Sequence, residues 1–329
     1  MITILTGSLS SGEHTVKRKI MQFIRPILRM IDKKKPILTP KYGGHNAVTR
    51  SLVEGMKKNG EKFNYNPANE DSIFENVVLL SGIEKLERML YLKKAGKIQF
   101  LIVGPNIVDH VLDFDNIVAH PLIDYFIVPS EWVKKLVLHD CPELKDRILI
   151  WPAGVDNKFW FPVKPVEKRK GVLIYKKTES GDFYDKIFKL LEELNFSADV
   201  IEYGNYNPAE FKKKLSNSFF AIFVSRSESE GIALVEAWSM DVPTVVYNPG
   251  DFIYRGKLVK EISACPYLNE RVGKDWKTIE ELRSLLLKMK QNKFSFEPRK
   301  FVLENLTDEI TAKDLVDKIK FCKKVINVF

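Results

Sequence analysis

The sequence predicts an α/β protein built as two doubly wound domains, and three observations carry that prediction. Short apolar runs alternate with segments of helical period along most of the 329 residues, a rhythm that produces a parallel sheet covered by helices on both faces. The chain is long enough for two ordinary domains, and 45% hydrophobic content provides a core for each. A stretch at 163–170 rich in charge and holding Pro165 separates two such series.

Residues 1–6 read as a first strand. Residues 15–31 place Val16, Ile20, Phe23, Ile24, Ile27, Leu28 and Ile31 at the spacing of an amphipathic helix, with Pro26 as its kink. Proline is tolerated at the start of a strand, so 36–39 forms a short one opening at Pro36 and leading to the loop 41–46, then a helix at 47–58. The alternation continues through strand 76–80, helix 83–95, strands 98–103 and 125–128, helix 131–138 and strand 147–151. The second series runs through strand 171–175, helix 184–194, strand 199–203, helix 208–215, strand 219–224, helix 232–240 and strand 244–247. A last helix at 307–328 carries Ile310, Leu315, Ile319, Cys322, Val325 and Ile326 along one stripe. The expected organisation is a domain at 1–162, a second at 163–306 and a terminal helix at 307–329.

No apolar run approaches the ~20 residues of a membrane span, and residues 1–12 lack the pattern of a signal peptide, so a cytoplasmic location is expected. The three cysteines, Cys141, Cys265 and Cys322, lie far apart without a metal or redox spacing and read as reduced packing residues. The net charge of +9 suits an anionic partner. It is concentrated in 14–35, where Lys17, Arg18, Lys19, Arg25, Arg29, Lys33, Lys34 and Lys35 face only Asp32, and no nucleic-acid signature accompanies it. The basic helix at 15–31 suits either peripheral contact with an anionic membrane, at its inner surface, or a solvated face over an ordinary core stripe.

The most informative run is 225–246. Its apolar strand ends in a polar loop with Glu228, Gly231 and Ile232 open a helix carrying Glu236, and a second strand follows. Ligands of open parallel sheets bind outside the carboxyl ends of strands, and amides opening a helix suit a diphosphate. Glu228 and Glu236 suit hydroxyls, those of a sugar and a ribose. This run, with two glutamates eight positions apart followed by Ala237, resembles the retaining glycosyltransferases of family 4. The resemblance implies a GT-B fold: two Rossmann-like domains facing across a cleft, the first on the acceptor side and the second holding a nucleotide sugar, with the terminal helix packing back on the first. Ser229-Glu230-Gly231-Ile232 stands where the family has Gly-Phe-Gly-Leu after its first glutamate, which leaves both Glu228 and Glu230 open as the carboxylate that meets the sugar.

Other segments extend the resemblance over most of the chain. Residues 129–132 look like the family's segment before the interdomain crossing, and 152–156 resemble its Asn-Gly-Val-Asp element without the asparagine. Gly43 and Gly44 match its glycine-rich loop near the donor phosphates, where the lack of a Cβ lets backbone come close. The strand ending in Lys176 and Lys177 lines up with the family's Gly-Arg, which puts Lys177 on the arginine; the family's second lysine has Lys186 as its loose counterpart. A lysine still offers a point charge to phosphate where the arginine fork is lost. By the same resemblance, a histidine near the donor sugar is sought after strand 98–103, which nominates Asn106 and His110, with His120 and His45 as further possibilities. Taken singly, each has an ordinary alternative as a surface or core residue.

Three other motifs exclude themselves. The run 7–12 has Walker spacing but continues Glu13-His14 and brings no lysine to a phosphate. Asp113-Phe114-Asp115 has the form of a GT-A metal motif but leaves 225–246 unexplained, and no Gly-x-Gly-x-x-Gly marks a nicotinamide or flavin enzyme. The expectation is a metal-independent glycosyltransferase without a cofactor, moving a sugar from a nucleotide sugar to a glycan, lipid-linked or small-molecule acceptor with retention of configuration. Two alternatives stay open: a sugar-nucleotide hydrolase or epimerase of the same fold, and a catalytically silent scaffold or partner subunit.

Overall fold

The computed structural model describes residues 1–7 and 44–326. Gly43, the helix expected at 15–31 and the strand expected at 36–39 lie outside the described residues. The chain divides into two compact units: described parts of Met1–Thr49 with Lys62–Val128 and Leu136–Leu149, and Arg50–Glu61 with Pro129–Lys135 and the chain from Ile150 onward. The sequence reading divides the domains at 162; the compact units divide at 149 and assign two shorter segments, Arg50–Glu61 and Pro129–Lys135, to the second.

The first unit holds β1 (Ile2–Thr6), β2 (Phe63–Tyr65), β3 (Asn76–Ser81), β4 (Phe100–Asn106), β5 (Tyr125–Val128) and β6 (Ile148–Ile150) in the order β2-β1-β3-β4-β5-β6. Helices α1 (Gly44–Lys58), α2 (Ile83–Lys94) and α3 (Glu131–Asp140) connect them, with residues 50–58 of α1 and 131–135 of α3 belonging to the second unit. Every residue of β3 is buried, as a strand covered on both faces requires. β2 has three residues, too few for a periodicity to register in the sequence.

The second unit holds β7 (Gly171–Lys176), β8 (Ala198–Glu202), β9 (Ser218–Val224), β10 (Thr244–Tyr247) and, after an antiparallel hairpin of β11 (Asp251–Tyr254) and β12 (Lys257–Lys260), β13 (Gly273–Trp276). Its parallel sheet runs β13-β10-β9-β7-β8. Alternation along β7 divides the core. Leu173 and Tyr175 pack on one face against Phe211 and Leu215 of α5 (Pro208–Leu215) and Leu234, Val235 and Trp238 of α6 (Ile232–Ser239). Val172 and Ile174 pack on the other against Ile187 and Leu190 of α4 (Gly181–Glu193) and Leu282 and Leu286 of α7 (Ile279–Lys290).

Helices α8 (Pro298–Asn305) and α9 (Asp308–Ile326) complete this unit. A Cβ placed on Gly55 would lie 2.0 Å from the Asp308 carbonyl oxygen, and one on Gly154 would lie 2.6 Å from the Asp308 amide, so both glycines permit close backbone contact. Arg50 grips the fully buried Asp308 through Nη1 and Nη2 at 2.6 and 3.2 Å, and the Trp151 indole donates to the Thr311 carbonyl at 2.8 Å.

Candidate active site

In both sheets the first strand lies between the second and the third, so the winding reverses between β1 and β3 and between β7 and β9. Binding crevices of doubly wound sheets open at such reversals, beyond the carboxyl ends of the strands. Lys177 follows β7 and the loop with Glu228 follows β9, which brings two residues 51 positions apart side by side. Lys177 Nζ donates to Glu228 Oε1 and Oε2 at 2.8 and 2.9 Å, and it sits 4.6 Å from the ring centre of Tyr203, which follows β8. A second pair lies beside the first with its charges reversed: Arg226 Nε donates to Glu179 Oε1 at 2.6 Å. The exit loops of β7 and β9 are thus joined by Lys177 with Glu228 and by Glu179 with Arg226.

Lys176 takes no part in this cluster. Alternation sends it to the face of α4, where its Nζ lies 4.2 Å from the ring centre of Tyr184. Gly231, at φ 72° and ψ 41°, forms the left-handed corner that turns the loop into α6 and supplies no side-chain cap to the first-turn amides from Ile232 onward. Glu236 is 2% exposed on α6. The Tyr175 and Tyr206 hydroxyls are 3.2 Å apart. Burial, foremost, and the fields of Glu228 and Glu236 hold both phenols well above the ordinary tyrosine range. The two glutamates therefore act on one tyrosine pair, and Arg50 also lies in the field of Glu236.

Glu230 points elsewhere. It is 8% exposed, and its Oε1 accepts the Ala153 amide at 2.8 Å and lies 2.9 Å from the Tyr267 hydroxyl. Of the two glutamates left open by the sequence, Glu228 is the one at the β7/β9 reversal.

Lys186 lies on α4 of the second unit, and the remaining candidates belong to the first. Asn106 ends β4 opposite Ser81. His110 has both ring nitrogens engaged: Nδ1 accepts the Leu112 amide at 3.2 Å, which leaves the proton on Nε2 to face Asp140 Oδ2 at 3.0 Å. Asp113 accepts the His110 amide at 3.0 Å. Gly44 opens α1 beside a cavity of about 250 Å³ at the β1/β3 reversal, lined by Thr6, Gly7, His45, Asn46, Thr49, Tyr65 and Ser81. Burial, against the field of Asp109, lowers the His45 pKa and favours its neutral imidazole.

No protein-family profile and no curated protein matches the sequence. Solved structures do. The lipopolysaccharide outer core galactosyltransferase WaaB is similar at a TM-score of 0.53 and 13% identity, over 97% of this chain and 99% of that one. The sucrose-phosphate synthase of Thermosynechococcus elongatus is similar at 0.51 and 12%, over 98% and 99%. The chain has the GT-B fold. A chain of the GtfA/B complex is similar at 0.51 and 14% identity, over 75% of this GT-B chain and 57% of its own length.

Arg226, Glu179, Tyr203 and the Tyr175–Tyr206 pair were not singled out by sequence reasoning. A usable signal existed for the charged ones: in a doubly wound order the exit loops of first and third strands are neighbours, so every ionisable residue in them is a candidate.

Proposed function

We propose that this protein is a retaining glycosyltransferase that moves a sugar from a nucleotide-sugar donor to an acceptor, with the donor on the second unit and the acceptor assigned to the first. The observation that carries the reading is the meeting of Lys177 and Glu228 at the β7/β9 reversal, next to the start of α6. In the proposed complex the Lys177 ammonium bridges Glu228 and the donor diphosphate, the α6 amides from Ile232 take the phosphate oxygens, and Glu228 receives sugar hydroxyls. Glu236 receives the ribose hydroxyls. Negative charge grows on the departing diphosphate, so the Lys177 contact strengthens toward the transition state and lowers the barrier. The departing phosphate accepts the acceptor's proton on the same face, and neither a protein nucleophile nor a metal is required. Gly44, Asn106 and His110 are secondary assignments on the first unit.

Calorimetry with UDP, GDP, ADP and dTDP, followed by sugar release from the matching donors with and without an acceptor mixture, tests the reading. Binding of one diphosphate and release that depends on acceptor are expected. Release without acceptor would make the protein a hydrolase, conversion of the donor to its epimer without release an epimerase, binding with neither a silent scaffold, and no binding at all would overturn the site.

A further inference from the structure

The Tyr267 hydroxyl oxygen lies 2.8 Å from the Pro129 carbonyl oxygen and 2.9 Å from Glu230 Oε1. A phenol has one proton and serves one of these oxygens. The other short contact needs a second proton, which a backbone carbonyl cannot supply and a carboxyl can. With the proton on Glu230 Oε1, a single chain accounts for all three contacts: the Ala153 amide donates to Oε1, Oε1 donates to Tyr267, and Tyr267 donates to Pro129. The surroundings agree. Among the described residues, the groups acting on Glu230 are the Ala153 amide, from the loop after β6, and the Tyr267 phenol, from the loop before β13; Tyr267 faces Cys265 in turn, and none of these is a cation. Burial pushes the Glu230 carboxyl up to about 7, against the lowering pull of the Ala153 amide and of the Tyr267 hydroxyl when it donates to the ionised carboxylate.

The segment that Tyr267 holds at Pro129 also holds the loop of Glu228. Ser130 Oγ donates to the Ser229 carbonyl at 2.9 Å, and the Trp132 indole donates to the Glu228 carbonyl at 3.0 Å. The Glu228 amide donates to the Ser263 carbonyl at 2.9 Å from the opposite side. We propose that Glu230 works as a protonated carboxyl whose hydrogen bond aims the Tyr267 hydroxyl at Pro129, and that this chain positions the turn bearing Glu228. Loss of the proton turns the Tyr267 hydroxyl onto the carboxylate. The Pro129 carbonyl then faces a phenol oxygen with no hydrogen between them, and residues 129–132 lose one of their ties. Glu230 is a positioning residue, and what the positioned Glu228 does rests on the transferase reading.

The test compares the full chain with its Glu230→Gln variant by infrared difference spectroscopy and amide hydrogen exchange at pH 6 and pH 8.5. The wild type is expected to show the band of a non-ionised carboxyl at pH 6 that the variant lacks, and to lose it by pH 8.5. Protection of 130–134 and 228–231, corrected for the intrinsic rate, should fall over the same interval in the wild type and stay constant in the variant. Absence of the band at pH 6, or equal changes in protection in both proteins, would overturn the proposal. No nucleotide enters these measurements, so failure of the diphosphate titrations sinks the transferase reading alone.

Discussion

A lysine ammonium carries three protons, and in this protein Lys177 directs them at both oxygens of Glu228, with Tyr203 against its side. The ammonium is therefore oriented before any phosphate arrives, and a donor phosphate adds to an existing contact. Lys177→Ala should lower kcat by about 10- to 100-fold, the scale of a lost charged hydrogen bond, while diphosphate affinity falls less. Steady-state rates beside calorimetric affinities read this split, and a loss confined to affinity would remove Lys177 from the chemistry. Glu230 supplies a pH prediction. Its unfolded form releases a proton above the ordinary value of 4.5, whereas the folded form retains it to about 7. The folded state binds more protons in that window, so stability falls as pH rises across it and levels off above. Relative to Glu230→Gln, the wild type should lose on the order of 3 kcal/mol between pH 4.5 and 7 in urea unfolding; parallel curves would contradict it.

At the scale of elements, the first turn of α9 is fixed by contacts that leave no room for a methyl group. Gly55→Ala places a carbon against the Asp308 carbonyl and 2.6 Å from the Ala312 Cβ. Helix propensity favours alanine at a helical position by about 1 kcal/mol, but overpacking costs about 1–3 kcal/mol and backbone contacts yield least. Net destabilisation is expected. Gly181→Ala, at the start of α4 with nothing within 4 Å of its new Cβ, should be neutral or stabilising. Urea midpoints of the two variants check both, and equal midpoints would show that α9 yields. Alternation within β7 explains a further separation: Lys176 and Lys177, adjacent in sequence, leave on opposite faces.

For the whole molecule, a nucleoside diphosphate that binds the native state alone must raise its stability by mass action. At a hundred times its Kd the gain is about 2.7 kcal/mol, visible as a higher Tm. The diphosphate selected by calorimetry should raise Tm equally with and without EDTA, because the proposed charge partners are Lys177 and the α6 amides. A shift abolished by EDTA and restored by a divalent cation would assign the diphosphate to a metal complex instead. Among the described residues no helix is long and apolar enough to cross a membrane.

Burial imposes a period that made β7, β9, β10 and α5 legible in the sequence, and the run that carries Glu228 and Glu236 was legible too, whereas β13, α7 and α8 were not read. Short or two-residue devices were not: β2 spans three residues, and the β11–β12 hairpin turns at Arg255 and Gly256 with φ of 48° and 77°. The partners of the charged side chains were decided by tertiary structure. Lys177 meets Glu228 and Arg226 meets Glu179 because β7 and β9 are neighbours in the sheet, and Glu230 turns to Tyr267, 37 residues away. The physical reason is one of range. Hydrophobic period is set by neighbours a few residues apart, whereas an ion pair or a shared proton depends on which strands lie together, and that is decided when two helical layers close over the sheet.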